Sequence, residues 1–432
     1  MPDVHVGFVG MTHLGLVSAT ACASKGFSVL CVDPDEGLVA ALQAGQLPVS
    51  EPDLGATLEA NGERQRFSAE IADLCACDVV YIAPDVPTDD DGTSDLAGIT
   101  QLIDSVTPHL NVTAALVVLC QVPPGFTSGL DFPAARRYYQ VETLIFGRAM
   151  ERALYPERYI VGCADPDAEM HAAFRRVLDA GNCPILPMRF ESAELTKISI
   201  NMCLVSSVSV ANTMAELCEH IGADWSEIVP ALKLDARIGQ SAYLKPGLGI
   251  AGGNLERDLA TVVSIADERG TDVGVVRAWT ANSQYRKAWA ARTLEREGHA
   301  NGDDPIAVWG LAYKENTHST KNSPSVATLN AFPSGRFNAY DPEVSVASLD
   351  HAGLSQASDP LAALDGAAAL MILTPWPEFR TVDPNDIAAR LSGQLVIDPY
   401  AVLQARACER AGLRYLTLGV TPVHRETSDA DS

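Results

Sequence analysis

Three groups of residues in this chain have the types and spacing for chemistry. The first is Gly10-Met-Thr-His-Leu-Gly15, set between a short apolar run at 4–9 and a small-residue stretch at 16–25; a second apolar run, 27–32, ends on Asp33. Glycines at such a turn let the backbone approach a pyrophosphate, the helix N-terminus that follows favours its charge, and the acid meets the adenosine ribose. The pattern implies NAD, and Asp33 favours NAD over NADP because a carboxylate repels a 2′-phosphate. Gly10, Thr12, His13, Leu14, Gly15 and Asp33 are therefore the expected cofactor residues. Thr12 stands where the fingerprint has its middle glycine, so a Cβ sits where the pyrophosphate would approach. The second group is Lys197 and Asn201, four apart within a helical-period pattern over 192–230, and so on one helix face. The third is the stretch Tyr243–Asp258, with Gly247, Gly249, Gly252 and Gly253 inside seven residues. Flexible linkers are usually Ser-rich and lack such aromatic and aliphatic neighbours; this stretch reads as a loop folded around a ligand.

Stepping outward, 432 residues suffice for two or three domains, and 47% apolar with 20% charged residues is ordinary for a globular chain. Lys and Arg number 31 against a net charge of -24, and no basic cluster stands out, which argues against a nucleic-acid partner. No unbroken apolar run approaches the roughly 18 residues that span a bilayer. The N-terminus enters a strand pattern at once, without a charged leader, so a cytoplasmic protein is expected. The ten cysteines have no metal-site spacing, and Cys31, Cys120, Cys163 and Cys203 lie in apolar surroundings, as buried thiols do. The acidic run Asp89–Asp91 reads as a solvated loop, so no metal is expected, and the polar stretch Gly298–Asp304 as a boundary between domains.

The stretch Tyr243-Leu-Lys-Pro-Gly-Leu-Gly-Ile-Ala-Gly-Gly-Asn-Leu-Glu-Arg-Asp258 resembles the active-site loop of the UDP-glucose/GDP-mannose dehydrogenases, Phe-Leu-x-Pro-Gly-x-Gly-Tyr-Gly-Gly-Cys-Phe-Pro-Lys-Asp. The likeness continues in order along nearly the whole chain. Gly45-Gln-Leu-Pro-Val-Ser-Glu-Pro-Asp-Leu54, Val86-Pro-Thr-Asp-Asp-Asp-Gly-Thr-Ser-Asp-Leu96, Val122-Pro-Pro-Gly125, Leu234-Asp-Ala-Arg-Ile-Gly239, Gly310-Leu-Ala-Tyr-Lys314 and Lys321-Asn-Ser-Pro324 are each similar to a family motif. The fold so implied is α/β, two Rossmann-like doubly wound domains joined by a helical dimerisation segment. The expected boundaries are 1–190 for the NAD domain, 191–300 for the central helices with the active-site loop, 301–425 for the nucleotide-sugar domain, and a disordered tail at 426–432.

By the same resemblance Lys197 stabilises charge on the reacting oxygen, Asn201 hydrogen-bonds that hydroxyl, and Asp258 completes the set. Glu142 corresponds to the Glu that prepares water for thioester hydrolysis, although the family's following Arg-Glu is Ile145-Phe146 here. Arg237 corresponds to the Arg that reaches the substrate across a homodimer interface. Leu144, Tyr243, Leu244, Gly249, Gly252, Gly253, Tyr313 and Lys314 fall at substrate-binding positions. Val86 and Gln121 replace two cofactor-contacting threonines, His318-Ser319 replaces Asp-Asp, and Lys321, at a cofactor-binding position by the same resemblance, replaces an Arg and loses its planar fork.

The substitution that bears most on function is Asn254, where the family has its nucleophilic Cys. An amide nitrogen cannot add to an aldehyde, so the second half of an alcohol-to-carboxylate oxidation loses its covalent step. Asn254 could still hydrogen-bond a substrate oxygen. The retained Lys197, Asn201 and Asp258 imply a nucleotide-sugar oxidoreductase confined to two electrons, or a reversible, epimerising version of one. Two alternatives stand beside it. The altered Thr12, Val86, Gln121 and Phe146 point to a catalytically silent nucleotide-sugar-binding homologue, and a cysteine from elsewhere in the fold would restore four-electron activity.

Overall fold

The computed structural model describes residues 4–87, 94–299 and 304–422. Asp89–Asp91, most of the 298–304 stretch and the 426–432 tail lie outside the described residues. The chain forms two compact units, Met1–Ile200 and Asn201–Ser432.

The first unit alternates strand and helix: β1 (His5–Val9), α1 (His13–Ser24), β2 (Ser28–Val32), α2 (Glu36–Gln43), α3 (Leu54–Ala60), β3 (Gln65–Ser68), β4 (Val79–Ile82), α4 (Ala97–Val106), β5 (Ala115–Val118), β6 (Arg137–Gln140), α5 (Ala149–Leu154), β7 (Tyr159–Cys163), α6 (Ala172–Asp179) and β8 (Ile185–Arg189). The sheet order is β3-β2-β1-β4-β5-β6-β7-β8, parallel except between β6 and β7. Strands β4 and β5 are buried on both faces, which is why they read as unbroken apolar runs rather than as alternation. The order reverses direction from β1, the position at which a doubly wound sheet opens a crevice. Two glycines make that turn possible. Gly10 has φ +91°, and a Cβ on Gly15 would stand 1.8 Å from the Gly10 oxygen.

From β8 the chain enters α7 (Phe190–Ile221), 32 residues long. Near its start Glu194 is fully buried and accepts from the N–H groups of Gly125 (2.6 Å) and Thr127 (2.8 Å), tying α7 to the loop after β5. Burial pushes this carboxyl up while those donors pull it down; the balance is upward. Nothing in the sequence reading singled out Glu194.

The second unit contains the rest of α7, then α8 (Trp225–Leu234), α9 (Asn254–Arg269), α10 (Gly274–Lys287), α11 (Trp289–Arg296), β9 (Ile306–Trp309), α12 (Pro324–Asn330), β10 (Phe337–Tyr340), β11 (Leu354–Gln356), α13 (Pro360–Ala363), β12 (Ala369–Ile372), α14 (Pro384–Arg390), β13 (Leu395–Ile397), α15 (Ala405–Arg410) and β14 (Arg414–Leu416). Its sheet runs β11-β10-β9-β12-β13-β14, parallel throughout. Both sheets thus have the doubly wound plan that the sequence implied. The helices are clamped by Arg286 of α10, fully buried, which lies 3.0 Å from Glu216 and 3.8 Å from Glu219 of α7. Trp289 Nε1 donates to the same Glu219 at 3.0 Å.

The two sheets treat their ribose-position acids differently. At the end of β2, Asp33 is half-buried and accepts from the N–H groups of Met11 (2.7 Å) and Asp35 (3.0 Å). At the end of β10, Asp341 is buried and accepts from five donors: the N–H groups of Leu311, Ala312, Glu343 and Val344, and Trp376 Nε1.

Two sequence expectations are corrected. α7 is long and apolar enough to cross a membrane by length and composition, with a window of mean hydropathy 1.4. Its Ser, Thr, Asn and charged residues interrupt every run, which hid it from a search for unbroken apolar stretches. The helix keeps Glu194 and Glu219 in polar bonds of protein interior, an arrangement costly in lipid. Cys203, expected to be buried, is exposed on α7, because only one face of that helix packs inward.

Candidate active site

In the first unit the turn from β1 to α1 is built for a dinucleotide at its ribose end. Asp33 braces the turn through Met11 while remaining half-exposed, and Gly10 and Gly15 bring the turn and the helix together. His13 and Leu14 are each 6% exposed, so they offer a ligand little beyond their N–H groups. The His13 ring is turned inward, with Nε2 3.0 Å from Glu51 and its face stacked on Phe146 at 4.2 Å. Glu51 also accepts from the N–H groups of Gly147 and Ala149. Phe146, which the sequence marks as a departure, therefore serves as the wall that holds His13. Thr12 has φ -75°, so this backbone does not require glycine, and its hydroxyl accepts the Asp85 N–H at 2.8 Å. Val86 and Gln121 are half-buried, Val86 against the apolar core.

Lys197 and Glu142 meet in this unit. Lys197 Nζ lies 3.1 Å from Glu142 Oε2, with the side chains 14% and 16% exposed. The other Glu142 oxygen accepts from the N–H of Leu144, and Leu144 packs against the core. Glu142 thus holds Lys197 and its own loop together.

The second unit brings Asn201 and Asp258 together: Asn201 Nδ2 donates to Asp258 Oδ2 at 2.5 Å, both groups buried. Arg257, itself buried, sets Nε 3.5 Å from the other Asp258 oxygen. Asp258 lies one turn into α9, which begins at Asn254. Asn254 is the first residue of α9, after Gly253 as its N-terminal cap. The loop before it depends on its glycines. Gly249 has φ +79° and a Cβ there would lie 2.4 Å from Ser283 O; Gly252 has φ +83° and faces the Tyr313 ring. Lys321, read from sequence as a cofactor residue, sits in this unit with its side chain alongside Gly253, while its carbonyl accepts from the Gly252 N–H. Lys314 Nζ lies over the Tyr313 ring at 5.7 Å. Asn322 holds Glu256 and the Gly252 carbonyl.

Tyr243 is half-exposed, whereas Leu244 is buried and its carbonyl accepts from Trp225 Nε1 at 2.8 Å. Both line a cavity of about 760 Å³ with Lys245, Pro246, Trp225 and Tyr400. A nucleotide fits within such a volume. Arg237 stands outside it, its side chain 88% exposed and paired with Asp235 at 2.6 Å.

Burial pushes Cys22, Cys31, Cys77, Cys120 and Cys408 up to about 12, and raises Cys163, Cys183 and Cys218. The thiolate is the attacking species, and burial disfavours it in each of these groups. Cys203 follows Asn201 by two positions, about 200° around the helix from it.

Residues 4–178 match the NAD binding domain of the UDP-glucose/GDP-mannose dehydrogenase family, residues 191–284 its central domain, and residues 307–405 its UDP binding domain. The chain is 30% identical to the UDP-glucose 6-dehydrogenase of Rhizobium meliloti (strain 1021), over 96% of this chain and 99% of the relative. It is 28% identical to a UDP-glucose 6-dehydrogenase of Bacillus subtilis (strain 168), over 99% and 95%. The solved UDP-glucose dehydrogenase of the hyperthermophilic archaeon Pyrobaculum islandicum superposes with a TM-score of 0.83 at 26% identity, covering 94% of this chain and 96% of that one.

Proposed function

The chain belongs to the UDP-glucose/GDP-mannose dehydrogenase family, and from that premise we propose that it oxidises a nucleotide sugar by a single two-electron step. The observation that carries this reading is Asn254 at the head of α9, beside a retained Asn201–Asp258 pair. NAD, when bound, supplies the hydride acceptor. In the second unit Asn201 Nδ2 carries a second hydrogen for the substrate hydroxyl, and Asp258 takes the proton as that O–H bond breaks. In the first unit Lys197, held by Glu142, stabilises negative charge developing on the substrate oxygen. Hydride and proton leave together, so an alcohol becomes a carbonyl and one NADH forms. A carbonyl held in place can also be re-reduced, the epimerising variant. Boundaries near residues 190 and 300 divide these duties among a cofactor domain, central helices and a nucleotide-sugar domain.

The test is stoichiometry with UDP-glucose or GDP-mannose: one NADH per sugar and a trappable carbonyl product. Two NADH and a carboxylate would sink the reading. Sugar-nucleotide binding without any NAD binding would favour the silent homologue, the reading that Thr12, Val86 and Gln121 support.

We further propose a homodimer through α7. In the second unit Val210, Met214, Leu217 and Ile221 recur at spacings of four, three and four along one stripe, each 40–62% exposed. Such a stripe is the seam of paired helices. Arg237, exposed on the turn after α8, is then placed to serve the partner's site. Met214→Asp with Leu217→Asp should convert a sedimenting dimer to a monomer. A wild-type protein that sediments as a monomer at micromolar concentration would contradict the proposal.

A further inference from the structure

Glu51, which no motif marked as functional, joins the cofactor turn of the first unit to the segment that holds Lys197. It lies in the loop between α2 and α3, with its side chain fully buried. A carboxylate so placed needs donors for both oxygens, and it draws them from two distant segments. Oε2 lies 3.0 Å from His13 Nε2 and accepts the Gly147 N–H at 3.0 Å, while Oε1 accepts the Ala149 N–H at 2.7 Å. His13 is the first residue of α1, and in a dinucleotide fold the N–H groups of that first turn face the pyrophosphate. Gly147 and Ala149 close the segment that leads from β6 to the head of α5, and residues 142–148 belong to no strand or helix. Such a segment is held by its side-chain and loop contacts. It opens with Glu142, whose Oε2 holds Lys197 Nζ at 3.1 Å and whose other oxygen accepts the Leu144 N–H. Contacts thus run from the α1 turn through His13, Glu51, Gly147 and Glu142 to the Lys197 ammonium. Phe146 covers the junction, its ring stacked on His13 at 4.2 Å.

We propose that Glu51 is a positioning residue that couples NAD binding to Lys197. NAD fixes the first turn of α1 and so fixes the His13 ring on Glu51. Glu51 passes that constraint through Gly147 and Ala149 to the segment on which Glu142 holds Lys197. Cofactor binding thereby tightens the Glu142–Lys197 pair before any sugar arrives. The proposal rests on the reading that the first domain takes NAD, and not on how many electrons are transferred.

Burial is what suits this carboxylate to the task. In contact with water, an acid that lost one donor would take a solvent molecule in its place. Here a displacement of His13 has to be met by the two N–H groups on the opposite side, because an unpaired lone pair in the interior is costly. His13 and Phe146 add a stacked contact that keeps the ring from swinging away.

The experiment measures how fast acetic anhydride acylates Lys197, read by peptide mass spectrometry on the full chain with and without saturating NAD. The free amine is the attacking form, so an ammonium held by a carboxylate reacts slowly. Wild type is compared with His13→Phe and Glu51→Gln; calorimetric titration sets the saturating NAD concentration for each, and thermal unfolding checks each fold. His13→Phe keeps a ring against Phe146 and removes only the nitrogen that meets Glu51. Glu51→Gln keeps the shape of the side chain and puts an NH2 group where an oxygen accepted. NAD should slow acylation of wild-type Lys197 at least about fivefold, the lower end of common coupling between sites, and should change it less than about twofold in both variants. A purely structural brace would lower the thermal transition of the variants and leave the NAD effect at Lys197 intact. An NAD effect as large in both variants as in wild type, or none in a wild type that binds NAD, overturns the proposal and leaves the NAD reading standing. A wild type that binds no NAD removes both.

Discussion

Replacing Lys197 by alanine is expected to lower kcat by about two to three orders of magnitude, with a smaller change in KM, because its charge is needed chiefly when the substrate oxygen becomes negative. The structure places this ammonium 3.1 Å from Glu142 at 14% exposure, a setting in which a charge is only weakly screened. Glu142→Gln is the informative companion. The glutamine oxygen can still accept from the Leu144 N–H, and a reaction that stops at a carbonyl has no thioester to hydrolyse. Its loss should therefore stay within about tenfold, the range left for a group that only positions another. Steady-state kinetics on both variants, alongside thermal unfolding, separates the cases. A Lys197→Ala enzyme within about threefold of wild type would remove Lys197 from the chemistry.

Asn254→Cys is expected to change what the enzyme makes rather than how fast it works. A thiol there would stand at the first position of a 16-residue helix, where the dipole lowers its pKa, although Glu256 in the same turn opposes that. The thiolate can add to the bound carbonyl, a second hydride can leave to a second NAD, and water can then release a carboxylate. The count should rise from one NADH per sugar to two. If the count stays at one, Asn254 is not the sole barrier. The loss would then extend to thioester hydrolysis, where Ile145-Phe146 has displaced the family's Arg-Glu. A chain already producing two NADH before substitution would contradict the two-electron reading outright.

Much of this was legible in the sequence because glycine leaves a local record. Gly10, Gly249 and Gly252 all have positive φ, and each lies where the motif places a close approach. The apolar runs at β1, β4 and β5 were equally plain, since strands buried on both faces need no alternation. What escaped depends on contacts between distant segments. Glu194 is read only once the loop at Gly125 and Thr127 is folded onto it. Asp85 looks like any loop acid until β4 lies beside β1 and carries it to Thr12. The head of α9 leaves no mark in the sequence, because no Ser, Thr or Asp opens it; Gly253 caps it without a side chain. Lys321, assigned by motif to the cofactor, sits beside Gly253, a neighbour that its distance in sequence does not reveal.

Asp341 and Asp33 occupy corresponding corners of two sheets that share the order of their first six strands, yet they are left differently free to meet a sugar. A carboxylate has about four lone-pair positions, and five protein donors converge on Asp341. That acid is a rivet. Asp33, with two, still has room for a pair of hydroxyls. A chain built from two look-alike halves could in principle mistake one for the other and load the same dinucleotide twice. Saturating the second acid from within removes that ambiguity at this corner of the second sheet.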